Sequence, residues 1–258
     1  LSLEELDRLC GVFIRAGVTK LRVTGGEPLV RRDIGLFLNS VSRHLRTGAL
    51  SELALTTNGV RLAEFANELA QTGVRRVNVS LDTLDRATFE NITRRDQLDA
   101  VLAGIDAAQR ADLKIKLNTV ILKDHNVEEI PTLIQWAHAR GIDVSLIEAM
   151  PLGEIEQTRS DQYVSLADMR ATFETFWRLE DTSVNTGGPS RYARVRETGG
   201  LVGFISPISH NFCATCNRVR LTCTGRLYLC LGQDDHVDFR APLRAGASDE
   251  ELFEVFRH

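Results

Sequence analysis

Three cysteines and two arginines lie close together in the C-terminal part of the chain and could combine metal binding with anion binding. Cys213, Cys216 and Cys230 form a C-x2-C-x13-C pattern, and Arg218 and Arg220 follow shortly after the second cysteine. Cysteine thiolates bind Zn²⁺ or iron–sulfur clusters, and arginine recognises phosphate through two parallel hydrogen bonds. We therefore expect a metal centre beside a site for a phosphorylated ligand.

The three cysteines also have structural interpretations, as a zinc knuckle or as a disulfide pair. Zinc requires a fourth ligand, for which Cys223, His210 and His236 are candidates. An iron–sulfur cluster held by three thiolates would instead leave one iron open to a ligand. The spacing suits a single metal centre and leaves both metals open. Cys10 lies among leucines at helical spacing and is expected to be a core thiol.

Composition limits the class of partner. The chain has 258 residues and 43% hydrophobic content, enough for one large α/β domain or for a barrel with an appendage. Its net charge of −4 provides no global basic field for nucleic acid or anionic lipid, so the arginine pair is a local feature. No apolar run approaches the ~20 residues of a membrane span, and no signal peptide is recognised. Because most of the cysteines have metal spacing, we expect a cytoplasmic protein.

Residues 1–150 alternate helical and strand patterns and are expected to form one domain. Helical periodicity predicts six helices, at 2–16, 33–46, 61–72, 85–93, 97–110 and 126–139. Short apolar runs between them predict five parallel strands, at 21–24, 53–57, 76–80, 114–122 and 142–149. Five such units are too few to close an eight-stranded barrel.

Each predicted strand is followed by small or polar residues: TGGEP, TTNG, SLD, KDHN and EAMP. Turn chemistry explains any one of them. Ligands, however, bind at the carboxyl ends of parallel strands, so five such loops on one edge predict a concave site. The sharpest is Gly25-Gly26-Glu27-Pro28, where glycine lets the backbone approach a ligand closely. Lys116 interrupts an apolar strand, and either it meets an anion or its strand is a solvated edge strand.

Residues 151–258 are expected to form a linker, at 151–163, and a C-terminal extension. Two hairpins are predicted in the extension, turning at Gly199-Gly200 and at Thr224-Gly225. In the second hairpin, the last cysteine of the C-x2-C-x13-C pattern would lie opposite the middle one. The two arginines of this hairpin, two residues apart on a strand, would share one face.

Five motifs together resemble those of the GTP 3′,8-cyclase family of molybdenum cofactor biosynthesis, in the radical S-adenosylmethionine superfamily: VTGGEPLVRRDI, LTTNG, VNVSLDTLD, GPSRY and GFISPISHNFCATCNRVRLT. The resemblance covers nearly the whole chain, whereas GGEP alone would indicate only the superfamily. It implies an α/β fold, with an incomplete parallel (β/α)6-type barrel and an extension that carries a [4Fe–4S] cluster. It also implies a lyase in which a radical derived from S-adenosylmethionine converts GTP to 3′,8-cyclo-7,8-dihydro-GTP.

The resemblance implies a role for each matching position. Its three cluster ligands, which favour iron–sulfur over zinc, match Cys213, Cys216 and Cys230. Its GTP contacts match Arg22, Thr56, Lys116, Arg218, Val219 and Arg220. Its contacts to S-adenosylmethionine match Gly26, Ser80 and Met150.

Two positions depart from the family. Ser145 stands where the family has an arginine in the last strand, which weakens the expectation of tight GTP binding. Cys223 stands where the family does not normally have a thiol.

The family's first strand and its C-x3-C-x2-C loop would lie upstream of Leu1. That loop would bind a second, radical-generating [4Fe–4S] cluster, so we expect residues 1–258 alone to be inactive. The expected partners are GTP, S-adenosylmethionine and a second copy of the chain in a homodimer, with no nucleic acid and no membrane. The alternatives are another radical S-adenosylmethionine enzyme with an auxiliary cluster, or a zinc-containing binding domain without catalysis.

Overall fold

The computed structural model describes residues 1–150, 162–209, 216–230 and 233–257. Its first part alternates helices and strands, in the order α1 (Leu3–Arg15), β1 (Lys20–Val23), α2 (Ile34–Arg46), β2 (Glu52–Thr57), α3 (Leu62–Gln71), β3 (Arg76–Ser80), α4 (Arg86–Thr93), α5 (Leu98–Arg110), β4 (Lys114–Ile121), α6 (Ile130–His138) and β5 (Asp143–Glu148). Short 3-10 turns at Pro28–Val30 and Val127–Glu129 precede α2 and α6. The predicted helices and strands of this part are confirmed, because periodicity and glycine caps mark their ends directly.

The C-terminal part contributes shorter elements. They are α7 (Leu166–Phe173), β6 (Leu179–Asp181), β7 (Arg191–Val195), β8 (Leu201–Ile205), β9 (Arg220–Leu221), β10 (Arg226–Tyr228), β11 (His236–Asp238), α8 (Arg240–Arg244) and α9 (Asp249–Arg257). Both predicted hairpins form, as β7–β8 and β9–β10. The predicted linker falls almost wholly outside the described residues. In the described part of the chain, no helix is long and apolar enough to cross a membrane.

Eight strands form the main sheet, in the order β1-β2-β3-β4-β5-β8-β7-β6. The first five are parallel neighbours, and β8 pairs with β5 in parallel as a sixth strand. The sheet thus passes directly from the first 150 residues into the extension. The sequence predicted β7–β8 only as a hairpin, because local patterns carry no information on which distant strand a hairpin joins.

The two faces of the main sheet differ in chemistry because successive side chains of a strand point to opposite sides. On one face, apolar side chains pack under the helices, as Leu55, Val77, Leu117 and Val144 do with 0% exposure. The opposite face carries the charged and polar residues of the same strands. We call it the polar face, and its charged residues begin with Lys20 of β1, the register partner of Glu52.

A second apolar cluster fastens the extension to α1. A capping box between Ser2 and Glu5 starts this helix, and its buried side chains include Phe13. The ring of Phe13 meets Phe239 edge to face, with centroids 5.2 Å apart. Arg8 of the same helix pairs with a carboxylate of α9 at 2.7 Å. The small sheet β11-β10-β9 shares this cluster through its buried Leu227 and is thereby held against the first helix of the chain.

Close packing of α5 on the loop before α3 predicts a different response at two helical glycines. A Cβ on Gly104 would lie 2.5 Å from the carbonyl oxygen of Gly59, whereas a Cβ on Gly11 meets nothing closer than 4.0 Å. Gly104→Ala should lower the free energy of unfolding by about 1–3 kcal/mol through overpacking. Gly11→Ala is the matched control and should raise it by up to about 1 kcal/mol, because alanine favours helix. Urea denaturation of both variants measures the difference, and equal effects would contradict the packing argument.

Candidate functional site

Strand register places four of the predicted ligand-binding residues on the polar face. Arg22 is the register partner of Ala54, which in turn partners Arg76. Thr56 partners Asn78, which in turn partners Lys116. One further row joins Ser80, Asn118, Ser145, Gly203 and Tyr192. Residues opposite one another in register share a face, so Arg22, Thr56, Ser80 and Lys116 face the same space. Their roles toward a ligand stay predictions.

Lys116 is buried in the middle of the sheet. Strand β4 lies between β3 and β5, and Lys116 is 8% exposed, so the alternative of a solvated edge strand is wrong. Its Nζ donates to the hydroxyl of Tyr192 over 3.3 Å. Burial lowers the pKa of Lys116, the Tyr192 hydroxyl opposes this, and the charges of Arg76 and Arg22 lower it further. The site thus holds a buried lysine whose hydrogen-bond partner among the described residues is a tyrosine hydroxyl.

The hydroxyl of Tyr192 lies at the centre of a small polar network. It is 3.4 Å from Ser145 Oγ and 3.1 Å from Thr186 Oγ1. Ser145 Oγ is in turn 3.3 Å from Ser190 Oγ. A Cβ on Gly203 would lie 2.0 Å from Ser190 Oγ and 2.7 Å from the Tyr192 ring, so only glycine leaves room for the network. Ser145, which departs from the family, is therefore a fully enclosed member of this network, with 0% exposure.

Positive charge exceeds negative charge on the β1–β3 part of the polar face. Arg76 Nη2 bonds to Glu52 Oε1 at 2.5 Å and to the carbonyl oxygen of Thr186 at 3.0 Å. Lys20 reaches the same Glu52 carboxylate at 3.8 Å. The pKa of Arg22 is lowered, first by desolvation and next by the charge of Arg76, while Glu52 opposes. One carboxylate thus faces three cations in these strands, which favours an anionic ligand.

Two buried amide oxygens on the polar face have no hydrogen-bond partner among the described residues. They are Oδ1 of Asn78 and Oδ1 of Asn118. The amide nitrogen of Asn78 donates to Thr56 Oγ1 at 3.2 Å, which fixes the direction of its oxygen. Leaving a buried acceptor unpaired costs about 1–3 kcal/mol. The face is therefore suited to a ligand that supplies hydroxyl or amino donors.

The loop residues matched to S-adenosylmethionine contacts lie at the carboxyl edge of the sheet. Ser80 ends β3, Gly26 follows β1, and Met150 follows β5. A Cβ on Gly26 would meet nothing within 4 Å, so the backbone there is open to a ligand. Gly25 has a φ of +152°, which an L side chain rarely adopts. Position and access thus agree with a ligand at this edge.

Glu27 joins two of these loops. Its carboxylate accepts from Thr57 Oγ1 at 2.8 Å, from the Asn58 amide at 2.7 Å and from the Leu29 amide at 2.9 Å. The GGEP and TTNG motifs are therefore one hydrogen-bonded unit. The glutamate of GGEP acts here as a brace for the loops.

Glu148 joins the end of β5 to the extension. Its carboxylate accepts from the amides of Ile208 and Ser209, each at 3.1 Å, and from the amide of Leu166 at 3.3 Å. Burial alone would raise the pKa of Glu148, but the hydrogen bonds from Ser209 and from these amides outweigh it and leave the pKa below its usual value. The turn that precedes residues 210–215 is thus tied to the loop that holds Met150.

Asp82 stabilises the SLD loop beyond Ser80. It accepts from the Val120 amide at 2.7 Å, and burial raises its pKa to about 6. Thr119 donates to the carbonyl oxygen of Leu81 at 2.7 Å, which ties the same loop to β4 a second time.

The cysteine pattern is only partly described. Cys213 lies outside the described residues, while Cys216 and Cys230 are free thiols. The prediction that Cys230 lies opposite Cys216 is wrong, because Tyr228 pairs with Arg220 and that register carries Cys230 to the level of residue 218. The strands are also too short to include either thiol, since they span only Arg220–Leu221 and Arg226–Tyr228.

Arg218 links the thiols to the polar face. Its Nη2 donates to Cys216 Sγ over 3.6 Å, and its charge also lowers the pKa of Arg22. The hydrogen bond from the Arg218 backbone amide lowers the pKa of Cys216, whereas desolvation raises it. The side chains of Arg218 and Arg220 lower it further. Strand β9 starts at Arg220, so the prediction of two arginines on one strand is wrong, although both lie near the same thiol. Val219 between them is 44% exposed.

The described residues do not by themselves complete a metal site. In the described ranges, no group of three or more His, Cys, Asp or Glu side chains is arranged to hold a metal ion. Of the proposed fourth ligands for zinc, His210 is outside these ranges, Cys223 is exposed, and His236 has Nδ1 2.8 Å from the Asp234 carbonyl oxygen. The Cys216 thiol beside the Arg218 guanidinium has the chemistry of a thiolate ligand, and the cluster with Cys213, Cys216 and Cys230 stays a prediction.

Sequence reasoning missed several residues of the site. Tyr192 was inside the motif GPSRY but received no role, and Arg76, Asn78 and Asn118 received none either. The last two could have been found, because each is a polar residue on the same alternating face as a residue already chosen. Tyr192 could not, because its position beside Lys116 depends on which strand β8 joins.

Two family models match the chain. The radical SAM superfamily model matches residues 1–137, and the Molybdenum Cofactor Synthesis C model matches residues 142–258. The chain is 60% identical over 252 residues to the GTP 3′,8-cyclase of Brucella canis, which covers 98% of this chain and 73% of that protein. It is also 60% identical over 250 residues to the GTP 3′,8-cyclase of Mesorhizobium japonicum, covering 97% and 76%.

Solved structures with a similar fold are more distant in sequence. The S-adenosylmethionine-bound structure of SuiB from Streptococcus suis matches with a TM-score of 0.66 at 15% identity, and the match covers 99% of this chain. The chain spans 60% of the length of that protein. The structure of anSMEcpe with bound AdoMet and a peptide matches 67% of this chain with a TM-score of 0.53 at 15% identity. At these identities the similarity concerns the fold alone.

Cysteine substitutions test which thiols hold a metal. Serine at Cys213, Cys216 or Cys230 should each remove most of the iron bound after anaerobic reconstitution, because a cluster requires its thiolates. Cys10→Ser and Cys223→Ser are the matched controls and should retain iron, since a buried thiol such as Cys10 is held by packing. Iron and acid-labile sulfide per chain measure the outcome. Equal loss for Cys223→Ser would indicate a four-thiolate site, and zinc in place of iron would overturn the cluster.

Proposed function

Because the chain belongs to the GTP 3′,8-cyclase family of radical S-adenosylmethionine enzymes, we propose that it binds GTP on the polar face and converts it to 3′,8-cyclo-7,8-dihydro-GTP. This reaction forms a carbon–carbon bond between the ribose 3′ carbon and C8 of the guanine. The family uses a [4Fe–4S] cluster and S-adenosylmethionine. In the proposal, a second cluster is held by Cys213, Cys216 and Cys230.

The proposed architecture is a partial (β/α)6-type barrel. Its support is the run of six parallel strands, β1 to β5 and β8. A segment of the extension also reaches back across the polar face, where Thr186 contacts Arg76 of β3 and a Cβ on Gly187 would lie 2.9 Å from Lys20 Nζ of β1. The polar face is then the inner wall of the barrel. Association into a homodimer stays a prediction.

The position of Arg218 carries the proposal. This arginine donates to the thiol of Cys216, and it lies close enough to Arg22 for their charges to repel. A thiolate metal centre and a surplus of positive charge therefore border one space. A nucleotide whose base meets an iron and whose phosphates meet arginines fits both requirements.

In the proposal, different residues of the polar face contact different parts of the nucleotide. Arg22, Arg218 and Arg220 would hold the triphosphate, since guanidinium groups bind phosphate oxygens in pairs. Lys116 would contribute its ammonium group from the middle of the sheet, and Thr56 would contribute a hydroxyl group. Val219, between the two arginines, would contribute its backbone.

The carboxyl edge would hold S-adenosylmethionine. The open backbone at Gly26, the hydroxyl of Ser80 and the loop at Met150 border this edge. The unpaired amide oxygens of Asn78 and Asn118 would accept from ribose hydroxyl or amino groups of the bound molecules.

The cofactors supply reductive cleavage of S-adenosylmethionine to a radical that abstracts hydrogen. The chain's own residues hold two ligands face to face and exclude water, which would otherwise screen the charges. Lys116, Asn78 and Ser145 in the middle of the polar face are buried, whereas Arg22 and Ser80 on the same face are exposed. The braces at Glu27 and Glu148 keep the loops of the two ligand sites at a fixed separation.

The activity can be tested directly. The full-length protein that contains this chain should convert GTP to 3′,8-cyclo-7,8-dihydro-GTP after anaerobic reconstitution with iron and sulfide, given S-adenosylmethionine and a reductant. Product is identified by mass spectrometry, and omission of S-adenosylmethionine is the control. Reductive cleavage of S-adenosylmethionine without any cyclised GTP would indicate a different substrate and would contradict the proposal.

Arg218→Ala should weaken GTP binding by roughly 10- to 100-fold, because each charge-assisted contact contributes about 1.5–3 kcal/mol. Guanosine has no phosphate to hold, so its affinity should change much less. Arg226→Ala, on the neighbouring strand β10, is the matched control and should change neither affinity. Calorimetric titration of both ligands measures this. A variant that binds GTP as tightly as the wild type would remove Arg218 from the phosphate site and leave the thiol assignment standing.

A further inference from the structure

Lys116 and Tyr192 form a buried pair that the expected ligand contacts do not explain. Tyr192 is 4% exposed and Lys116 is 8% exposed, and they come from strands β7 and β4, which are not neighbours in the sheet. The space between them is bordered by Ser145 and by Gly203, where only glycine fits. Four separate strands are thus arranged around one contact.

The chemistry of the pair suits a lysine that must stay charged. An ammonium has three N–H donors, and the described residues engage one, through the Tyr192 hydroxyl. A neutral phenol orients the ammonium without neutralising it, whereas a carboxylate would compete with an anionic ligand. The carboxylate of Glu52, on β2 of the polar face, is instead bonded to Arg76 and faces Lys20. Two N–H donors of Lys116 are left for a ligand.

We propose that Tyr192 is a positioning residue for nucleotide binding, whose hydroxyl holds the Lys116 ammonium charged and directed at the bound nucleotide. This inference rests on the proposed function. Tyr192 itself touches no nucleotide, because Lys116, Ser145 and Thr186 surround its hydroxyl. Ser145 belongs to the same arrangement of Lys116 and Tyr192. An arginine at position 145 would place a second positive charge, besides that of Lys116, next to the Tyr192 hydroxyl.

The other charged groups around Lys116 make the phenol necessary. Arg22 of β1 and Arg76 of β3 both lower the pKa of Lys116, as burial does, while Tyr192 raises it. Lys114 is on the same strand, Arg218 lies beyond Arg22, and Asp143 is the register partner on β5. Asp143 uses an oxygen to accept from the Leu201 amide at 3.0 Å. Without the Tyr192 hydroxyl, the ammonium would lose its proton at a lower pH.

A titration of Lys116 tests the inference without any ligand. The chain has only four lysines, Lys20, Lys114, Lys116 and Lys123, so lysine labelled with ¹³C at Cε gives few signals, and Lys116→Arg assigns the one required. In Tyr192→Phe, the midpoint of Lys116 should move to lower pH. Tyr163→Phe removes a hydroxyl elsewhere and should leave it unchanged. An unmoved midpoint in Tyr192→Phe would overturn the inference.

GTP affinity provides the second readout. Tyr192→Phe should weaken GTP binding by about three- to tenfold. As the pH rises, GTP affinity should begin to fall at a lower pH in this variant than in the wild type. In a Lys116→Arg background, Tyr192→Phe should leave the pH dependence unchanged, because a guanidinium keeps its charge. A purely structural Tyr192 would weaken binding equally in both backgrounds.

The two proposals fail separately. If Lys116→Met binds GTP as tightly as the wild type, the proposed nucleotide position is wrong, while the lysine titration still decides the role of Tyr192. If Tyr192→Phe does not fold, 3-fluorotyrosine keeps the shape of the ring and makes the phenol more acidic. The midpoint of Lys116 should then rise, because phenolate forms at lower pH and stabilises the ammonium. No change would overturn the inference.

Discussion

A charged lysine in the middle of a parallel sheet is the constraint on which the site depends. An ammonium away from water must be hydrogen-bonded and must have negative charge within reach. Around Lys116 the structure supplies the Tyr192 hydroxyl and further cations, while Glu52 is bonded to Arg76 and Asp143 accepts from the Leu201 amide. In the proposed function, the triphosphate of the nucleotide would supply the negative charge that this lysine needs. This arrangement is stable enough to fold because Lys116 can lower its pKa, and it becomes favourable when an anion arrives.

The apolar core offsets the free-energy cost of burying polar groups on the polar face. Every strand of the first part presents aliphatic side chains to the helices, and these form one continuous core. The second cluster, around Phe13 and Phe239, fastens the extension to α1. Since α1 leads directly into β1, the segment before β9, with Arg218, comes near enough to β1 for its charge to act on Arg22. The packing of the extension against α1 thus determines that Arg218 comes near Arg22.

Two carboxylates, one partly buried and one buried, hold the loops together. Glu27 joins the loops after β1 and β2, and Glu148 joins the end of β5 to Ser209 and Leu166. Neither carboxylate contacts a cation in the hydrogen bonds just described, and each accepts from backbone amides. Hydrogen bonds to a charged acceptor are about twice as strong as neutral ones. The two glutamates therefore hold the loops in place, and the residues proposed to contact ligands are the glycines and hydroxyls beside them.

The sequence by itself determined the helices and strands of the first part and the candidate residues on alternate positions of its strands. Periodicity and glycine caps are local signals, so they can be recognised in the sequence without knowledge of the fold. It also supplied the cysteine spacing and the motifs that the family shares. Tertiary structure alone decided that β8 joins β5, that Tyr192 meets Lys116, and that the charge of Arg218 acts on Arg22. These contacts join residues far apart in the chain, and their geometry depends on strand order and helix packing, which no local pattern records.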